Sequence, residues 1–384
     1  MKQTDSLKEN KVITVVYHDQ IVGRLALTFD NLCAFEYDRN WLVNGFSISP
    51  FKLPLEKKVF VASREPFGGN FGVFDDSLPD GWGRLLIDRM LLKMRINPAE
   101  VSVLDRLAIL GKTGMGALEY IPEYKLCNSK ITSNLSELEK ECEKILNEIY
   151  DGDIEQLFTA GGSSGGARPK ILTKIDNEDW IIKFRSSFDP KNIGQMEYQY
   201  SQLAKQVGIE MPETRLFEDK YFGVKRFDRP SGKKVHMISA SALLDASHRF
   251  PCLDYSDLMK ATHMLTRDMR EVEKIFRLMC FNVFMHNRDD HSKNFSFIYS
   301  DGKWKVSPAY DLVFSEGIMG EHATTVFGEG KNPTKEHILS LANEVGIDNK
   351  RCLKIFQEIE QQCISSHEMR RNSLRMVKNI QRRS

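Results

Sequence analysis

Three oxygen-bearing side chains in the last third of the chain constrain its fold more than any other feature. In HNRDDHSKNFSF, residues 286–297, Asp289 and Asn294 stand five positions apart. NFSFIYS and KWKVS then read as two strands of similar length joined at Ser300-Asp301-Gly302, so the chain runs out and comes back over matching distances. Asp311, in SPAYDL, is therefore expected to emerge near Asn294. A fold that carries this text must deliver two carboxylates and an amide to one place from the ends of a hairpin.

That set has a chemical reading. Phosphoryl transfer to a hydroxyl needs a carboxylate near the acceptor oxygen and an amide or carboxylate on Mg²⁺, and kinases space the first two as D-x-x-x-x-N. Asp289 and Asn294 have that spacing, and Asp290 does not. His286 and His291 flank the aspartates and suggest a metal cluster of a phosphohydrolase, but no second His/Asp pair of the right type follows. Upstream, GGSSGGARPK (Gly161 to Lys170) has glycines whose amides can turn toward an anion without Cβ obstruction; a plain surface turn is the alternative. Lys183 follows in the strand WIIKF, with Trp180, Ile182 and Phe184 on the opposite face. Glycine loop then strand lysine is the order by which kinases hold ATP phosphates, with Glu197 on the next helix as an ion-pair partner or an ordinary exposed residue. Gly111, Lys112 and Thr113 imitate the end of a Walker loop, but Arg106 stands where its first glycine belongs.

Composition limits the alternatives. A chain of 384 residues, 41% hydrophobic and 28% charged, is globular, and at roughly 150 residues per domain it holds two or three domains. Its 54 Lys+Arg against 53 Asp+Glu leave a formal charge of +1, so no global basic field holds a nucleic acid or anionic membrane. A basic run from Arg370 is a solvated helix face or a local phosphate contact. The polar start MKQTDSLKEN and the shortness of apolar runs such as LMCFNVFM predict a cytoplasmic protein without a membrane segment. Seven scattered cysteines without C-x-x-C spacing read as reduced thiols.

Along the chain, VITVVYHD, IVGRLALTF, FSISPF and VFVAS read as strands of a small β-rich module. In DDSLPDGWGRLLIDRMLLK, Pro79, Asp80 and Gly81 turn the chain and Leu85, Leu86, Met90 and Leu91 give a helix, and Val101 to Leu110 reads as another. A third helix is expected over Leu135 to Tyr150, with Asn134 and Glu137 as a capping pair. KILTKI and DWIIKF form a hairpin, a helix follows Pro190 and stops at Gly208, and YFGVKRFDRP is a further strand. Beyond about Ser239 the text is mostly helical.

Jointly these motifs resemble the HipA family of serine/threonine kinases, toxins of bacterial type II toxin-antitoxin systems. FDDSLPDGWGRLLIDR, GMGALEY, SSGGARPK, WIIKF, VKRFDR, HNRDDHSKNFSF and PAYDL carry the resemblance over nearly the whole chain. It implies an α+β, protein-kinase-like two-lobed fold: an amino-terminal β-rich subdomain (11–105), a small lobe with the glycine loop (106–238) and a helical large lobe (239–384). It implies Asp289 as catalytic base, Asn294 and Asp311 on Mg²⁺, and Lys170, Lys183, Ser164, Gly165, Gly166 and Ala167 around ATP phosphates. Lys225 and Phe227 lie at the adenine hinge. Ser163, seven residues before Lys170, takes the place of a loop serine whose autophosphorylation silences the kinase; Ser164 is one residue off register. The implied partners are a HipB-like helix-turn-helix antitoxin, which supplies most operator DNA binding, and a substrate of the aminoacyl-tRNA synthetase class. An inactive kinase-fold scaffold and a lipid-kinase-like enzyme remain as alternatives.

Overall fold

The computed structural model describes residues 12–127, 129, 132–147 and 153–365. The chain forms two compact units, Met1–Ser187 with Asp228–Ile238 and Ala242–Asp245, and Phe188–Phe227 with Ser239–Ser241 and Ala246–Ser384.

In the first unit, β1 (Val12–Tyr17), β2 (Gln20–Leu27), β3 (Cys33–Tyr37), β4 (Val59–Val61) and β5 (Leu118–Ile121) make an antiparallel sheet in the order β4-β3-β2-β1-β5. Ile13 and Val15 alternate into the core, and a bulge between Val15 and Val16 lets Val16 follow them. FSISPF, expected as a strand, is not one. Side chains take up its backbone instead: the Tyr37 hydroxyl donates to Leu53 O (2.6 Å) and accepts from Ile48 N, and the Trp41 indole donates to Phe46 O. Pro50 and Pro54 also lack the N–H that a ladder needs.

The helices of this unit are α1 (Arg39–Asn44), α2 (Gly72–Asp75), α3 (Gly81–Lys93), α4 (Val103–Leu110), α5 (Leu135–Leu146) and α6 (Ile154–Gly161). α4 starts two residues later than expected because Ser102 is its cap, in a reciprocal box with Asp105. Asn134 caps α5 by accepting from the Ser136 and Glu137 N–H groups, while Glu148 to Tyr150, expected to extend it, lie outside the described residues. β6 (Lys170–Ile175) and β7 (Glu178–Lys183) pair across a turn in which Asp176 and Asn177 both have positive φ, so Lys170 stands directly opposite Lys183.

His236 is buried in this unit at 1% exposure, its Nε2 2.8 Å from Ile48 O. Burial pushes its pKa down to about 4, against the opposing effect of the Ile48 bond. Between about pH 6.5 and 4 the unfolded chain therefore binds a proton that the folded chain refuses, and stability falls with falling pH. The loss reaches about 3 kcal/mol at the lower end. Urea titrations at pH 7 and pH 5 should show a smaller gap in His236→Gln, which has no ring to protonate.

In the second unit, α7 (Ile193–Gln206) buries Met196, Tyr200 and Leu203 on one face and ends before Gly208 at φ +75°. β8 (Thr214–Phe217) and β9 (Tyr221–Lys225) form a hairpin. After β10 (His236–Ser239) and α8 (Ala240–Leu244) the chain is mainly helical, with β11 (Leu253–Asp254), α9 (Tyr255–Thr266) and α10 (Met269–Met285). The expected hairpin is β12 (Ser296–Ser300) and β13 (Lys303–Val306), turning at Asp301-Gly302. β14 (Thr324–Thr325), α11 (Lys335–Glu344) and α12 (Asn349–Ser365) complete the unit. The parallel β11/β14 pair was not legible in a text that read as helical.

The cysteines are free, and burial pushes the Cys33 and Cys363 thiols up to about 12, well away from reactive thiolate. Among the described residues no helix is long and apolar enough to cross a membrane. The basic run from Arg370 lies outside them.

Candidate active site

α10 delivers the loop that carries Asp289. Its buried face, with Val272, Ile275, Phe276, Met279 and Met285, fixes the helix in the core of the second unit. His286 ends it in the left-handed conformation, φ 52°, and Ser315 N donates to His286 O at 3.0 Å. The loop then folds on itself. Asn294 Nδ2 donates to the carbonyl of Asp289 at 2.6 Å, closing the five-residue interval seen in the sequence. Across the hairpin, the Tyr310 hydroxyl donates to Lys293 O at 2.7 Å, so the residue before Asp311 is bonded to the residue before Asn294. Asp311 adopts φ 54°, a left-handed conformation that aspartate tolerates better than most residues. Phe227 stacks on Tyr310 with ring centroids 5.7 Å apart and planes 25° from parallel. Lys225 ends β9, where its N–H donates to Glu213 O. Glu197 sits on the buried face of α7 at 3% exposure, so it is not an ordinary solvent-facing helix residue.

The two adjacent aspartates have opposite environments. Asp289 is exposed, while Asp290 is 1% exposed. Its Oδ1 accepts from Ala323 N (2.9 Å) and Thr324 N (3.3 Å), and its Oδ2 accepts from the Tyr255 hydroxyl (2.8 Å) and His322 Nδ1 (2.9 Å). The Thr324 hydroxyl donates to the Asp290 carbonyl, and Asn282 Nδ2 donates to the Tyr255 oxygen. Burial, then the Asp290 charge, pushes the Tyr255 phenol well above its ordinary value. Asp290 thus bolts the peptide that bears Asp289 to residues 322–324. Spacing gave no reason to single it out.

In the first unit, α6 runs to Gly161 and the glycine loop follows. Ser164 is buried, its hydroxyl donating to Gly161 O at 2.6 Å, whereas Ser163 is half-buried and Ala167 exposed. Lys170 is buried and its Nζ donates to Gly165 O at 2.5 Å. Lys170 and Lys183, as cross-strand partners, project from the same face of the hairpin. Asp80 and Trp82, which spacing did not mark, also reach this loop: the Gly166 N–H donates to Asp80 Oδ1, and Trp82 N donates to Gly166 O at 3.0 Å.

The glycines just after the Walker-like Gly111, Lys112 and Thr113 have a structural role. Asp228, fully buried, accepts from Gly116 N at 2.9 Å. Arg229 donates to Gly116 O (2.6 Å), Gly114 O (2.7 Å) and Asp228 Oδ2 (2.8 Å). The guanidinium therefore occupies the middle of the turn, and its donors satisfy carbonyls that would otherwise be buried unpaired. Among the described residues no three His, Cys, Asp or Glu side chains form a metal-binding group.

The family description "HipA-like C-terminal domain" matches residues 162–366 and "HipA N-terminal domain" matches residues 13–121. The chain belongs to the HipA family. Two Sinorhizobium fredii proteins and one from Haemophilus influenzae, each bearing the name "Putative kinase", are similar to it. The first S. fredii protein is 23% identical over 52% of this chain and 54% of its own length. The H. influenzae protein is 24% identical over 40% and 52%, and the second S. fredii protein is 26% identical over 79% and 77%. This HipA chain thus spans about half the length of the first two relatives. Among solved structures, HipA of Shewanella oneidensis, in a toxin-antitoxin complex with HipB and operator DNA, aligns over 96% of this chain and 94% of its own, with a TM-score of 0.70 and 18% identity. That likeness shows the fold, a mixed helix and strand architecture with a β-rich sheet in its amino-terminal part.

Proposed function

We propose that this protein is an ATP- and Mg²⁺-dependent protein serine/threonine kinase, and that it acts as the toxin of a HipBA-type system. The observation that carries the reading is the closed loop of the second unit: Asn294 bonded to the Asp289 carbonyl, and Tyr310 bonded to Lys293, which draw Asp289, Asn294 and Asp311 together. The exposed Asp289 carboxylate takes the proton of the attacking hydroxyl. Asn294 spends its amide N–H on the loop and can offer its amide oxygen to a cation, with the Asp311 carboxylate as the second donor we assign. That donor set fits Mg²⁺, which is held by one or two carboxylates plus substrate phosphates. Bound there, the ion would neutralise charge on the transferred phosphoryl group.

Lys170 and Lys183 project from one face of the hairpin, where two ammonium groups suit an anion that accepts from both. A nucleotide phosphate has that chemistry, and Ser164, Gly165, Gly166 and Ala167 form the loop beside it. Lys225 and Phe227 take the adenine side, and Glu197 belongs to the same nucleotide-binding set. We place self-silencing phosphorylation at Ser163, because Ser164 is buried with its hydroxyl already donated. By the same reading a HipB-like antitoxin binds the protein and supplies most operator DNA contact, and an aminoacyl-tRNA synthetase receives the phosphate in the cytoplasm.

Incubation with γ-labelled ATP and Mg²⁺ tests this directly. Wild type should gain one phosphate by intact mass and Ser163→Ala none; a wild type that neither binds ATP by calorimetry nor takes up label would leave the scaffold reading in its place.

A further inference from the structure

The glycine loop is held in place from an unexpected direction, the turn Pro79-Asp80-Gly81-Trp82-Gly83 that opens α3. Both backbone groups of Gly166 are engaged there, its N–H by the Asp80 carboxylate and its C=O by the Trp82 N–H at 3.0 Å. The buried Trp82 indole donates to Lys170 O at 3.2 Å, so the same residue also fixes the start of β6. The two glycines of the turn are needed for this approach. A Cβ on Gly81, which has φ +40°, would stand 2.7 Å from Ala167 Cα and from Gly166 O. One on Gly83 would strike the Ser164 carbonyl. From within the loop, Lys170 Nζ bonds Gly165 O, so the loop is pinned between α3 and Lys170.

From this geometry we infer that Asp80 is a positioning residue for nucleotide binding: through Gly166 it holds the glycine loop in the conformation that receives phosphate, so the amino-terminal part of the chain sets ATP affinity. The inference rests on the kinase reading of the loop. In this reading Asp80 acts on nucleotide through the loop backbone, by its bond to the Gly166 N–H. A hydrogen bond from a backbone N–H to a carboxylate is among the stronger kind, so its removal shifts an equilibrium by about tenfold.

Two measurements on wild type, Asp80→Ala and Asp80→Asn test it. Hydrogen exchange without nucleotide should accelerate about tenfold at loop amides 162–168 in Asp80→Ala and return toward wild type in Asp80→Asn, whose amide oxygen still accepts. In phosphate-transfer assays, KM for ATP should rise about tenfold in Asp80→Ala while kcat stays within twofold, again with rescue by Asn. Unchanged exchange, a lowered KM or an Asn variant no better than Ala would overturn the role of Asp80. If wild type transfers no phosphate, the kinase reading falls, and the exchange measurement still decides whether Asp80 holds the loop.

Discussion

Asp289→Asn is expected to reduce phosphate transfer by about a hundred- to ten-thousandfold, the usual contribution of a general base. The substitution is nearly isosteric, and the Asn294 bond that closes the loop goes to the Asp289 carbonyl, which asparagine keeps. Folding stability should therefore change by less than about 0.5 kcal/mol, as at other exposed positions. Comparing transfer from labelled ATP with urea unfolding on the same preparations separates the two quantities. A variant that keeps wild-type transfer would remove Asp289 from the chemistry.

The neighbouring residue should behave in the opposite way. Asp290→Ala takes away the acceptor of Ala323 N, Thr324 N, the Tyr255 hydroxyl and His322 Nδ1, all in a buried setting. Breaking a buried charged network by removing one partner costs about 3–5 kcal/mol. The expected result is a fall of that size in unfolding free energy, with activity lost through the loop. Asp290→Asn should lose less, because its amide oxygen can still accept the two backbone N–H groups. Equal stability of wild type and the Ala variant would show that the network does not hold the loop.

These two residues also mark what the sequence could disclose. Asp289, Asn294 and the return of Asp311 were legible because their geometry is local: an interval of five residues, then a hairpin whose arms can be counted. The hairpin of KILTKI and DWIIKF was legible from two strand-like runs and the turn between them, whereas the register that sets Lys170 opposite Lys183 comes from the structure. Asp290 was passed over because its partners, Tyr255 and His322, lie 35 and 32 residues away in the chain. Asp80 was read as part of a turn because Gly166 lies 86 residues on. FSISPF has the composition of a strand, but Tyr37, Trp41 and Ser47 compete for its backbone groups and for Leu53 O. Such side-chain bonds, near or distant in sequence, override local propensity, and no periodicity announces them.

The clamp of Asp228 and Arg229 on Gly114 and Gly116 sets an order of events during synthesis. Gly116 O and its Arg229 partner are 113 positions apart in the chain. At roughly 5–20 residues per second, a ribosome that has translated Gly116 needs roughly 6–23 seconds more to reach the arginine. Until then the turn between α4 and β5 lacks the groups that satisfy its carbonyls. The span 13–121 recognised as the HipA N-terminal domain thus receives the clamp on its last turn from a stretch translated well after it.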